Sequence, residues 1–110
     1  MAKSTKKPDA ISIKNSKSVR IIGGKWRSRH LRFAPTTTLR PSGDRTRETL
    51  FNWLNSEIVG AHCIDLFAGS GALALEALSR GAKSCLAVDN DPQTVEWLRY
   101  NSDQLDAQNL

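Results

Sequence analysis

The stretch "HCIDLFAGSGALALEALSRG", residues 62–81, constrains the fold more than any other part of the chain. A compact apolar run reads as a strand, Asp65 lies in it, and Gly69 and Gly71 make a turn that opens into a short apolar helix. Leu75 and Leu78 mark one face of that helix, Arg80 sits in its last turn and Gly81 is placed to end it. "SCLAVDND" then reads as a second strand. Asp91 can cap, and Pro92 can open, a further helix over "PQTVEWLRYN", because the first turn has no amide bond to lose. Strand, helix, strand, helix predicts parallel strands joined by a right-handed crossover, so the expected fold class is α/β.

In an open parallel sheet the ligand lies beyond the carboxyl ends of the strands, where a glycine turn lets backbone approach and the next helix offers free amides. Gly69 and Gly71 stand at that place. Asp89, eighteen residues beyond Gly71, ends the second strand, where a carboxylate can accept hydrogen bonds from the vicinal hydroxyls of a ribose. A nucleoside-containing cofactor is implied, and two kinds fit. "GSGALA" satisfies the GxGxxA form of the dinucleotide fingerprint, but Asp65, four residues before Gly69, would repel a pyrophosphate. A cofactor bearing an amino group and a sulfonium would gain from the same carboxylate, by roughly 4 kcal/mol at ~4 Å and an effective dielectric of about 20, before desolvation is subtracted. The plainer alternatives are that Asp65 caps the turn and that Asp89 partners the next helix.

The net charge of +5 hides a division. Residues 1–50 hold thirteen lysines and arginines against three acids; residues 51–110 hold three against eight. A basic segment joined to a mildly acidic α/β segment points to a polyanion, with nucleic acid the commonest, or else to a solvated basic surface. Residues 1–17, rich in Lys and Ser and without a sustained period, read as a disordered basic arm. "SVRIIGG" and "KWRSRHLRF" read as a hairpin with a glycine turn. Along its second strand Lys25, Arg27 and Arg29 alternate on one face and Trp26 on the other, a ribbon suited to phosphates. Asp44 is the expected N-cap of a helix over "RTRETLFNWLNSEI". Leu50, Leu54 and Ile58, with Phe51, form its apolar stripe, leaving Arg45, Arg47, Glu48 and Asn52 on the surface.

Cys63 and Cys85 lie inside the expected strands at a spacing that fits neither a redox pair nor a zinc site, and read as small buried hydrophobes. His30 and His62 have no partner at catalytic or ligand spacing, and no metal is expected. Trp53 and Trp97 read as packing residues on amphipathic helices. Nothing approaches the ~18 uninterrupted apolar residues of a membrane span, and no apolar run follows the basic start, so the expected location is the cytoplasm.

Three motifs in order carry a resemblance. "CIDLFAGSGALALEALSRGA" resembles the first motif of class I S-adenosylmethionine-dependent methyltransferases. "VRIIGGKWRSRHL" and "LRPSGDRTRETLFNWL" resemble the amino-terminal signatures of the RsmD family, which methylates the exocyclic N2 of a guanine in 16S ribosomal RNA. The resemblance covers about Ser18 to Asn101. It implies the first part of a Rossmann-like sheet preceded by a basic hairpin and helix, with S-adenosylmethionine as cofactor. Asp65, Phe67, Gly69 and Gly71 would surround its methionine part, with Ala68 and Ser70 in the same turn, Asp89 on the ribose, and Asn90 and Asp91 near the adenine. Lys25, Trp26, Arg27, Arg29, Arg32, Arg40, Arg45 and Arg47 would face the RNA, and Asp44, Glu48 and Asn52 would close the pocket. Small-subunit ribosomal RNA, or its assembling particle, is the implied partner, with a monomer when full length.

The resemblance also implies what these residues lack. Enzymes of this class acting on such amines carry a [DN]PP[FYW] motif, whereas Pro8, Pro35, Pro41 and Pro92 are all isolated. The division expected is an arm over 1–17, an RNA-facing hairpin and helix over 18–59, and the amino-terminal part of a cofactor-binding α/β domain over 60–110. The expectation is therefore a truncated, inactive form of a methyltransferase. Its rivals are a non-catalytic RNA-binding fragment and half of an NAD-type domain.

Overall fold

A computed structural model describes residues 8–34, 43–66, 69 and 71–107. In chain order these form α1 (Ala10–Lys14), β1 (Lys17–Arg20), β2 (His30–Phe33), α2 (Asp44–Ile58), β3 (His62–Asp65), α3 (Ala72–Ser79), β4 (Ser84–Ala87) and α4 (Pro92–Leu105). β1 and β2 pair antiparallel, Lys17 with Phe33 through Arg20 with His30. β3 and β4 pair parallel, His62 with Ser84 through Asp65 with Ala87, and α3 makes the crossover. The α/β class and the order of elements over 62–105 agree with the reading of the sequence.

α3 is the centre of the core. Seven of its eight residues are buried, so an "ALALEALS" segment that reads as one-sided is packed all round. Leu75 and Leu78 meet Phe51 and Ile58 from α2, Cys85 from β4, and Ile21, Trp26 and Leu31 from the hairpin. The α2 stripe is as expected in Phe51 and Ile58, with Leu50 and Leu54 half-buried against the same core. α4 buries Trp97, Leu98, Asn101 and Leu105, one helical face. Its Asn101 amide donates to the Arg32 carbonyl at 2.7 Å and accepts from the Arg32 amide at 2.8 Å, and so extends the ladder where β2 has no further strand neighbour among the described residues.

Several local expectations are corrected. Within the arm expected over 1–17, Ala10–Lys14 form a one-turn helix capped by Asp9, which accepts from the Ser12 amide at 2.7 Å, and Lys17 already belongs to β1. The cap of α2 is Gly43, while Asp44 turns its carboxylate to Arg47 and Arg20. Asp91 caps α4 as expected, accepting from the Gln93 amide at 3.0 Å. Trp53 is 77% exposed, against the packing role expected of it, because it lies off the stripe; Trp97, at 3%, packs edge-on to Tyr100.

The two faces of the parallel sheet differ. Cys63 and Cys85, ladder partners, turn toward α3, and Cys85 is buried, as its apolar setting requires. Burial pushes the Cys85 thiol up to about 11, with Cys63 and Asp65 adding to the shift. On the opposite face Ile64 and its partner Leu86, with Leu66 and Val88, are exposed to solvent among the described residues.

Candidate functional site

The carboxyl ends of β3 and β4 carry the candidate cofactor site. Asp65 ends β3 opposite Ala87, and its carbonyl accepts from the Val88 amide at 2.8 Å, so the ladder runs one residue past the strands. Two residues further, Asp89 grips two backbone amides. One carboxylate oxygen accepts from Gly69 at 3.1 Å and the other from Asp91 at 3.0 Å. The glycine turn after β3 is thereby tied to the turn after β4, and both acids stand half-buried at one edge of the sheet.

The two glycines do different things. Gly69 has φ of 54° and Gly71 of 83°, the left-handed region that glycine enters without strain. A methyl group at Gly71 would lie 2.6 Å from the Leu98 side chain, so this glycine lets the start of α3 pack on α4. At Gly69 a methyl group would meet nothing within 4 Å among the described residues. Each oxygen of Asp89 accepts one bond and keeps a second lone pair for a hydroxyl donor. Two carboxylates beside an open turn fit a ligand that brings hydroxyls and positive charge, and oppose one that brings phosphates.

Asn90 and Asp91 are exposed in the same turn, but the Asp91 carboxylate is engaged by Gln93 and by the Thr94 hydroxyl at 3.3 Å. Phe67, Ala68 and Ser70, assigned to the cofactor, lie outside the described residues, as does Arg40. Among the described residues no three His, Cys, Asp or Glu side chains gather as metal ligands, and no helix is long and apolar enough to cross a membrane. His62 bonds Ser84 at 2.6 Å at the far end of the strands.

The basic segment departs from the ribbon expected of it. Residues 21–29 are not strand but a compact loop, folded on itself by Ile21 to Arg29 and Ser28 to Ile21 backbone bonds, with Ser28 at φ of 70°. Period-two display of Lys25, Arg27 and Arg29 is lost, though all three remain exposed. Trp26 enters the core, with the Lys25 ammonium 4.6 Å above its ring, so it is not displayed for stacking on a base. Arg29 donates to the Gln104 carbonyl at 2.9 Å and half-buried Arg32 to the Ser16 hydroxyl at 3.2 Å. Arg45, Glu48 and Asn52 are exposed on α2.

Arg47 is the clearest departure. Expected on the surface facing RNA, it is fully buried, bonded to Asp44 at 2.6 Å, to Glu76 at 3.2 Å and to the Arg20 carbonyl at 2.8 Å. It heads the α2 stripe, one helical turn before Phe51, so its stem packs and its charge is answered by acids. Glu76 escaped the sequence reading. Fully buried on α3, it accepts from the amides of Ile22 and Gly23, each at 2.9 Å, from Arg47, and from Arg80 at 2.8 Å. The signal was present: one carboxylate inside an apolar helix implies donors brought to it.

The description of the matching family model is "conserved hypothetical protein 95", and it matches residues 19–110. The chain is similar to ribosomal RNA small subunit methyltransferase D of Escherichia coli (strain K12), 51% identical over 94 residues, covering 86% of this chain and 48% of that protein. To the protein of the same name from Haemophilus influenzae it is 49% identical over 83 residues, covering 76% and 43%. The solved structure of yhhF from Escherichia coli superposes with a TM-score of 0.75 at 48% identity, covering 84% of this chain and 50% of that one. The chain thus spans about half the length of the curated relatives it matches.

Proposed function

The chain belongs to the family described as conserved hypothetical protein 95, the RsmD family of the resemblance above, and from that premise we propose that it serves S-adenosylmethionine-dependent methylation of a guanine N2 in small-subunit ribosomal RNA. Its own share is the cofactor edge and an RNA-contacting loop. The observation that carries the reading is the Asp89 clamp, which holds Gly69 and the β4–α4 turn together beside Asp65. Asp65 supplies negative charge for the amino group and sulfonium, and Asp89 supplies acceptors for the ribose hydroxyls. Gly69 brings no side chain of its own to the approach. Such a cofactor, when bound, supplies an electrophilic methyl group. The [DN]PP[FYW] motif that would orient the guanine amine does not occur within residues 1–110.

Calorimetry and thermal melting test the reading together. S-adenosylhomocysteine is expected to bind and raise the melting temperature, NAD to do neither, and Asp89→Ala to weaken S-adenosylhomocysteine by tenfold or more. Stabilisation by NAD alone would return the site to the dinucleotide class. A second reading, an RNA-binding fragment indifferent to cofactor, rests on the exposed Lys25, Arg27 and Arg29. It would be favoured by RNA affinity that falls with salt while S-adenosylhomocysteine fails to bind.

A further inference from the structure

The loop over residues 21–29 is held less by its own hairpin than by one helix. Glu76 takes the amides of Ile22 and Gly23. Ser79 does more: its hydroxyl donates to the Gly23 carbonyl at 2.6 Å and accepts from the Trp26 amide at 3.0 Å, while its carbonyl accepts from the Lys25 amide at 2.9 Å. Gly24 passes so close, at φ of 82°, that a methyl group there would stand 1.9 Å from the Ser79 carbonyl oxygen. Backbone atoms of residues 22–26 are thus read by two side chains and one carbonyl of α3, and the cations Lys25, Arg27 and Arg29 stay exposed, with the Arg29 guanidinium on the Gln104 carbonyl and the Lys25 ammonium over the Trp26 ring. The same helix begins at Gly71, in the cofactor turn. Eight residues of α-helix span about 12 Å.

We propose that Glu76 and Ser79 are positioning residues that set the Lys25, Arg27 and Arg29 loop in a fixed place relative to the glycine turn, so that RNA phosphates are gripped in register with the cofactor. The inference rests on the reading of that loop as RNA-contacting. A rigid loop engages several phosphates at once; a loosened one engages fewer, because each contact then has to overcome the entropy of ordering the loop.

The test uses the 110-residue chain, an unmethylated small-subunit rRNA stem-loop and titrations over a range of salt. Ser79→Ala and Glu76→Gln, the second keeping the shape of the side chain, are expected to weaken RNA binding about tenfold and to lower the slope of log K against log salt by up to about 2.5, the share of three cations at roughly 0.7 to 0.9 each. S-adenosylhomocysteine affinity should stay at the starting value. Amide exchange at Gly23 and Trp26 should quicken in both variants. Simple loss of folded protein would scale affinity without moving the slope, so the slope separates positioning from stability. Unchanged slopes with quickened exchange would overturn the positioning role and leave the RNA reading standing. A triple Lys25→Ala, Arg27→Ala, Arg29→Ala variant with the starting slope would remove the RNA reading of the loop, and the positioning role with it.

Discussion

Two carboxylates in this chain each hold two backbone amides, and they are at opposite ends of the same packing problem. Glu76 is sealed: four donors surround it, two amides and two guanidinium groups, with no exposed surface. Asp89 is half open, with one donor on each oxygen among the described residues, and the glycine it holds meets no described side chain. The same grip therefore means different things. A saturated buried carboxylate is a fastener, whose value lies in what would be stranded without it. An unsaturated carboxylate at the carboxyl edge of a parallel sheet has bonds left to give a ligand.

The widest test of this contrast is Glu76→Ala. It strands part of the Arg47 charge and two loop amides, and should cost about 3 to 5 kcal/mol in urea denaturation; a loss under about 1 kcal/mol would show that the network is not a fastener. Next in size is Gly24→Ala. The left-handed backbone alone costs about 1 to 2 kcal/mol, and the clash with Ser79 adds to it by forcing the loop off α3. Amide exchange should quicken at Trp26 while β4 stays protected.

At the open end Gly69→Ala meets the same backbone penalty, about 1 to 2 kcal/mol, and no clash with the described residues. Its larger effect should be on S-adenosylhomocysteine, since the new methyl group occupies the approach. A variant that loses stability and keeps ligand affinity would place the ligand elsewhere.

An effect confined to alkaline pH concerns the sheet beneath α3. Burial raises the Cys85 thiol from 9.0 to about 11, so the folded state holds its proton more tightly than the unfolded chain does. The stability this contributes is complete below pH 9 and is lost as pH rises from 9 to about 11. Cys85→Ala should flatten the fall of stability across that window, measured as the difference between the two chains. Parallel alkaline curves would mean that water reaches the thiol and that the closed side is less closed than Glu76 indicates.

Much of the α/β part was legible in the sequence, for reasons local to the chain. Asp91 and Pro92 start α4 by bonds within its first turn. Gly71 takes a left-handed conformation next to its own helix, Asp65 ends β3 and Asp89 lies two residues past β4, so their placement needs only the parallel order of two strands. The basic loop was not legible. Alternation of Lys25, Arg27 and Arg29 imitates a strand, yet the donors and acceptors that bend it lie 53 to 56 residues away on α3. Arg47 misled for a related reason: a single arginine in an amphipathic helix reads as surface unless its acids are known, and one of them is 29 residues off.

By itself, then, the sequence determined the β3–α3–β4–α4 order, the glycine turn and the pair of acids at the sheet edge, because periodicity, caps and turn chemistry are set by near neighbours along the chain. Only the tertiary structure decided that Trp26 and Arg47 are buried, that residues 21–29 are a loop, and that Glu76 and Ser79 hold it. Those outcomes depend on satisfying buried polar groups across the core, and a buried charge finds its partners in space.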